Sequence, residues 1–283
     1  MPRKKKQKNR LIYFLLILLI IGGIPYLNEG SILNISTKEE LQTAKGVSNH
    51  TPSTLSQNIE IPSPLPNRQE QIIIHDGYTV SYNANWRIPN WVAYELTDSK
   101  TKGTVKRGDD FIPDPQVKGH TATTEDYKHS GYDRGHMAPA ADMKWSTYAM
   151  AQCFYLSNIC PQNANLNKGD WKELEEKGRI WAQQYGTIYI VCGPIVKKTY
   201  TTIGKNKVAI PHSFFKVFLR NSENSPEAIG FIFPNKAGNQ PLRTYSTSID
   251  EIEQISGIDF FPALPDSIET RIEAKCNPEK WEL

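Results

Sequence analysis

Beyond residue 68 the chain alternates short apolar runs with one long amphipathic stretch. The runs 72–82, 91–96, 153–159, 187–192, 214–219 and 228–233 are rich in β-branched and aromatic residues, the composition of strands. Residues 166–184 carry the clearest helical pattern. Trp171, Leu174, Gly178 and Trp181 follow a 3-4-3 spacing there, a single narrow stripe turned toward a core. A shorter helix is expected over 248–254, with Ser248 as its cap and Glu251 three residues on, and another over 141–151. Strands and helices without strict βαβ alternation define an α+β domain.

Ahead of that domain the pattern changes twice. Arg3, Lys4, Lys5, Lys6, Lys8 and Arg10 precede an uncharged apolar run, residues 11–27. As a helix this run spans roughly 25 Å, near the lower limit for a bilayer. A signal peptide and a single-pass signal-anchor share this layout. The stretch Gly22-Gly23-Ile24-Pro25-Tyr26 offers no small-residue cleavage pattern, which favours an uncleaved anchor. Either form leaves the basic end in the cytoplasm and sends the rest across. The expectation is an exported protein, extracytoplasmic if anchored and secreted or periplasmic if cleaved. Residues 28–67 are rich in Ser, Thr and Asn, lack aromatic residues and end in Pro62-Ser63-Pro64-Leu65-Pro66, the make-up of a flexible tether. The chain thus reads as 1–27, 28–67 and a domain over 68–283.

Charge narrows the picture only locally. The net charge is +3, but residues 1–67 hold 8 of the 33 Lys/Arg and 4 of the 30 Asp/Glu, which leaves 25 and 26 for the domain, a balance of −1. Any affinity for nucleic acid must therefore come from a patch, because the whole molecule offers no strong field.

The run Gly131-Tyr132-Asp133-Arg134-Gly135-His136-Met137-Ala138-Pro139 supplies such a patch. In an extended segment Arg134 and His136 face the same side. A guanidinium beside an imidazole is a poor core arrangement, but it can hold a phosphate next to a base. On the long helix, taken as continuous, Trp171, Glu175 and Arg179 lie about 40°, 80° and 120° from Asn167. Asn167 then opens the helix in line with its stripe, and Glu175 and Arg179 form its shoulder. An N-cap and an ordinary i,i+4 pair would explain the same residues. The amides of Asn158, Gln162, Asn163 and Asn165 crowd the approach to this helix, and amide oxygens suit hard cations such as Mg²⁺.

Other residues have plainer readings. His50 and His75 lack ligand partners at metal spacing, His129 reads as surface, and His212 as the edge of a site. Cys153, Cys160, Cys192 and Cys276 form no C-x-x-C pair, and in an exported chain they leave three disulfide pairings open. None has the basic surroundings of a catalytic cysteine.

Together these segments resemble the DNA/RNA non-specific endonucleases, the ββα-metal nucleases that include endonuclease G. The resemblance rests on Asp126-Tyr127, the run from Ser130 to Ala140, Ser157-Asn158-Ile159-x-Pro161-Gln162, and Asn167-x-Gly169-x-Trp171-x-x-Leu174-Glu175. Fainter echoes continue through Phe215-Lys216-Val217, Phe233-Pro234-Asn235 and Gly257-Ile258-Asp259-Phe260-Phe261. It covers about residues 70–275 in the family's order. It implies a central, mostly antiparallel sheet flanked by helices.

What the resemblance implies for function is specific. His136 matches the family's general base and Asn167 its single protein ligand of Mg²⁺, with Mn²⁺ as a substitute. Glu175 matches the acid that holds the metal through water, and Asn158 a residue supporting the site. Arg134 falls where the family contacts phosphate, and Arg179 on a further position near the site. Arg107 has the spacing of an upstream arginine that stabilises the transition state. His120 stands where the family usually has arginine before its Asp-Tyr pair. The expected activity is metal-dependent endonucleolytic hydrolysis of DNA and RNA, held through the phosphate backbone, with 5′-phosphate products. A membrane contact through residues 11–27, a homodimer and an inhibitor protein stay open as partners. Two other classes share these features: a non-catalytic, surface-anchored nucleic-acid-binding module, and a phosphodiesterase for small diesters.

Overall fold

The computed structural model describes residues 58–221 and 225–283. The apolar run 11–27 and most of the tether lie outside the described residues. The elements run β1 (Gln71–Ile74), β2 (Thr79–Asn83), β3 (Ile88–Thr97), α1 (Asp98–Thr101), α2 (Thr124–Tyr127), β4 (Asp133–His136), α3 (Thr147–Gln152), β5 (Ile159–Gln162), α4 (Ala164–Lys168), α5 (Asp170–Tyr185), β6 (Thr187–Ile195), β7 (Thr202–Ile203), β8 (Val208–Ala209), β9 (Ser213–Arg220), β10 (Glu227–Pro234), β11 (Ser246–Thr247), α6 (Ile249–Ser256) and α7 (Asp266–Glu273).

Seven strands form one sheet in the order β1-β2-β3-β6-β9-β10-β11, and every neighbouring pair is antiparallel. Side chains alternate across it, so each strand feeds two apolar layers. On β9, Phe214 and Phe218 join Trp171, Leu174 and Trp181 of α5. Phe215, Val217 and Leu219 join Ile249, Ile252, Phe260 and Phe261 on the other side. Burial on both faces explains why β6, β9 and β10 read as nearly continuous apolar runs. Each buried Phe or Leu contributes roughly 1.5–3 kcal/mol.

A separate antiparallel pair, β4 with β5, stands beside α4 and α5 on the first layer. The four residues of α5 expected to face a core are all buried.

Several boundaries differ from the sequence reading, each for a local reason. The run 72–82 is two strands, β1 and β2, because Asp76-Gly77 makes a turn in which His75 N–H donates to Tyr78 O at 2.9 Å. The run 153–159 is mostly not a strand. A 3-10 turn over Leu156–Asn158 precedes β5, and buried hydrogen bonds from Asn158 hold the segment. The helix expected over 141–151 divides, because Ser146 accepts from Ala149 N–H at 3.3 Å and starts α3 afresh. The stretch 166–184 is two helices. Gly169 breaks it, since a Cβ there would lie 2.6 Å from Asn165 O. α6 begins as expected, with Ser248 accepting from Glu251 N–H at 3.2 Å.

The packed part also begins earlier than residue 68. Ile59 and Leu65 are buried in the second layer, and Ser63 N–H donates to Asp259 O at 3.0 Å. Prolines stiffen this segment, and Ile59, Ile61 and Leu65 dock it on the second layer. Among the described residues no helix is long and apolar enough to cross a membrane.

Candidate active site

β4 carries Asp133, Arg134, Gly135 and His136 directly against β5, with Gly135 opposite Cys160 and His136 opposite Ile159. A Cβ at Gly135 would meet Gln162 Oε1 at 2.1 Å and Gln162 Cβ at 2.6 Å, so this pairing requires glycine. Arg134 and His136, two apart on the strand, both line a cavity of about 230 Å³. Arg107, Asn167, Glu175 and Arg179 line the same cavity.

Two hydrogen bonds lock the β4 segment to the helices that follow β5. Asn167 Nδ2 donates to Asp133 Oδ2 at 3.1 Å, and Lys168 Nζ pairs with the same oxygen at 3.2 Å. Trp171 Nε1 donates to His136 O at 3.2 Å. The break at Gly169 thus places Asn167 near the end of α4 and Glu175 on α5, on two helices rather than one. Asn158 lies outside the cavity and is fully buried behind it. Its Oδ1 accepts from Ala138 N–H at 2.9 Å, and its Nδ2 donates to Ala138 O at 2.9 Å and Cys153 O at 2.8 Å. Those bonds hold the chain as it leaves His136.

The imidazole of His136 sits edge-on to Phe154, with centroids 4.9 Å apart, and 5.3 Å from Phe111. Its Nε2 is buried and has no hydrogen-bond partner among the described residues. Burial first, then the charges of Arg107 and Arg134, push its pKa down to about 3, so the ring is neutral near pH 7. The two arginines stack on the same aromatics, Arg134 4.2 Å from the Phe111 centroid and Arg107 5.1 Å from that of Phe154. Sequence reasoning missed both phenylalanines, since nothing local separates them from core aromatics.

Behind the cavity lies a buried charge network. Arg179 Nη1 donates to Asp142 Oδ1 at 2.8 Å, and Tyr94 OH donates to Asp142 Oδ2 at 2.9 Å. Burial pushes the Glu175 carboxyl up to about 7, opposed by Lys216; Asp142 adds to the rise and Arg179 opposes it. Lys216 Nζ lies 3.9 Å from Glu175 Oε1 and 4.2 Å from the Trp171 ring centroid, with its side chain 1% exposed and no hydrogen bond among the described residues. In the sequence it stands out only within the family echo Phe215-Lys216-Val217. The available signal was a lone lysine between Phe214 and Phe218 on the α5 side of β9, where alternation demands an apolar side chain.

A second hollow of about 560 Å³ adjoins the cavity, and the two share Arg134, Asn167 and Lys168. The remaining titratable residues take structural places. His75 Nε2 meets Asp114 Oδ2 at 2.9 Å, with both side chains fully buried. Burial alone would raise the Asp114 carboxyl, but hydrogen bonds from His75, Ser157 and Gln116 N–H hold it low. The open question of disulfide pairing resolves to none, because all four cysteines are free thiols. Burial pushes Cys153 and Cys192 up to about 12, which leaves neither poised as a nucleophile.

An α+β fold that keeps a neutral imidazole among guanidiniums, with an amide and a carboxylate across one cavity, has the make-up of a phosphate-handling enzyme. Residues 55–267 match the DNA/RNA non-specific endonuclease family, and the chain belongs to that family. It is 37% identical over 217 residues to a mitochondrial nuclease, EXOG, of Danio rerio, covering 71% of this chain and 63% of the relative. To human mitochondrial endonuclease G it is 35% identical over 207 residues, 68% of this chain and 70% of that one. A solved complex of EndoG with EndoGI superposes with a TM-score of 0.68 at 28% identity, over 76% of this chain and 94% of that one. The chain spans less than two thirds of the length of the EXOG relatives.

These relatives correct one expectation. The N-terminal pattern points to export, but nucleases matched over about 70% of the chain are mitochondrial proteins, which overturns the exported, extracytoplasmic location. A basic segment at a chain's start serves more than one targeting route, so charge order alone does not choose the destination.

Proposed function

We propose that the protein is a sugar-non-specific endonuclease that hydrolyses phosphodiester bonds of DNA and RNA within a ββα-metal site. The observation that carries this is the buried Nε2 of His136, partnerless among the described residues, in one cavity with Asn167, Glu175 and three arginines. A divalent metal fits the donor set, since an amide oxygen and a carboxylate suit a hard cation and no cysteine lines the cavity. Asn167 would hold Mg²⁺ directly and Glu175 through water; when bound, the ion offsets charge on the phosphate and the leaving oxygen.

The chain's own residues do the rest. His136 is neutral, so Nε2 accepts the proton of the attacking water, and an incoming phosphate anion raises its basicity. Arg134 and Arg107 hold the phosphate against their aromatic supports. Trp171 holds the carbonyl of His136, Asn158 holds the backbone two residues on, and Asp142 orients Arg179 toward the cavity wall. Products carry 5′-phosphate. Contacts of this kind read the backbone and not the bases, which suits both sugars.

The test is incubation of the purified chain with supercoiled plasmid and with RNA, in Mg²⁺ and in EDTA. Both polymers are cut in Mg²⁺ and neither in EDTA, and His136→Ala abolishes cleavage while its circular dichroism stays native. Binding without cleavage, turnover of small diesters alone, or a fully active His136→Ala would overturn the reading.

A further inference from the structure

Helices α6 and α7 pack on the second core layer through Ile249, Ile252 and Ile272, across the sheet from the His136 cavity. Each carries a like-charge pair at helical spacing, Asp250 with Glu253 and Glu269 with Glu273. Carboxylate oxygens of Asp250, Glu253 and Glu273 all lie within 4.8 Å of one another. Glu273 is 5% exposed, and its Oε1 is buried with no hydrogen-bond partner among the described residues. Among the described residues none of these carboxylates makes an ion pair. Phe260 N–H donates to Glu253 Oε1 at 2.8 Å, which orients that carboxylate and leaves its other oxygen. Burial, reinforced by Glu253 and then Glu269, pushes the Glu273 carboxyl up to about 9.

An isolated pair of surface acids needs no explanation. A buried carboxylate with one oxygen unpartnered, and with two more carboxylates close by, does, because either a proton or a cation must offset it. We propose that Asp250, Glu253 and Glu273 form a second cation site, for a hard divalent ion of the Ca²⁺ class, that ties α6 to α7. Ca²⁺ binds oxygens at about 2.3–2.6 Å, so ligands on opposite sides of one ion lie about 5 Å apart and the observed spread fits a single ion. The exposed side at Asp250 leaves room for the waters that complete an irregular shell, which Ca²⁺ tolerates and Mg²⁺ does not.

Thermal unfolding of the full chain at about pH 8, in EDTA and in rising CaCl₂, tests the site. Ca²⁺ raises the Tm of the wild type by several degrees, and raises that of Asn167→Ala equally, since the site is separate from the cavity. Asp250→Asn, at an exposed position that leaves folding intact, needs about tenfold more Ca²⁺ for the same shift. Glu273→Gln loses the shift altogether and in EDTA melts no lower than the wild type. An unchanged wild-type Tm, or a shift that survives Glu273→Gln and vanishes in Asn167→Ala, overturns the proposal.

Discussion

His136 shows how burial sets the working state of a single residue. Its pKa lies near 3 in the fold against about 6.5 in an unfolded chain, so as pH falls the unfolded chain takes up the proton first. Its contribution to stability is therefore intact above about 6.5 and declines steadily toward 3. In His136→Gln, urea midpoints between pH 7 and 4 should fall less steeply than in the wild type. Glu175 works in the opposite sense. Its carboxyl is raised from 4.5 to about 7, the folded state takes the proton first, and stability falls as pH rises through that window. Lys216 opposes that rise, so Lys216→Met lifts the carboxyl further. The acid limb of the pH–rate profile then moves to higher pH, and kcat at pH 7 falls. Asn158 does its work at a distance from the cavity. Asn158→Leu strands the backbone groups of Ala138 and Cys153 and is expected to cost about 3 kcal/mol, read from urea unfolding.

At the scale of elements, the site depends on two glycines for different reasons. Gly135 lets β4 approach Gln162, and Gly169 leaves helical geometry between α4 and α5. Gly135→Ala forces the strands apart, with a loss of about 1–3 kcal/mol in urea unfolding and at least a tenfold fall in kcat. The buried stripe of α5 was readable from spacing because one face meets one core, and the Ser248 cap because its partner is three residues away. The breaks at Gly169, at Asp76-Gly77 and before Ser146 were missed. In each, a contact or a turn within a few residues overrode an apolar composition that averages over the window.

For the whole molecule, a domain balanced at −1 implies that recognition is local. Arg107, Arg134 and Lys168 lie around the cavity, and Lys128 faces the adjoining hollow. With His136→Ala as the binding-competent but inactive chain, log affinity for plasmid DNA should fall linearly with log salt. Each phosphate contact adds about −0.9 to that slope, and Lys168→Ala should lower its magnitude by about one contact. A salt-independent affinity would place recognition elsewhere.

The sequence by itself determined the α+β class and the family, and it marked the candidate site residues, because strand and helix periodicities and a fixed run such as Asp133-Arg134-Gly135-His136 are local properties of the chain. It did not decide which of those residues meet. Asp133 with Asn167, His136 with Trp171, Arg107 with Phe154 and Lys216 with Glu175 are separated by tens of residues, and their contacts exist only once the sheet and helices have packed. Burial, which neutralises His136, raises Glu175 and leaves Glu273 close to two more carboxylates, is likewise a property of the packed molecule, set by how much water the surrounding elements exclude.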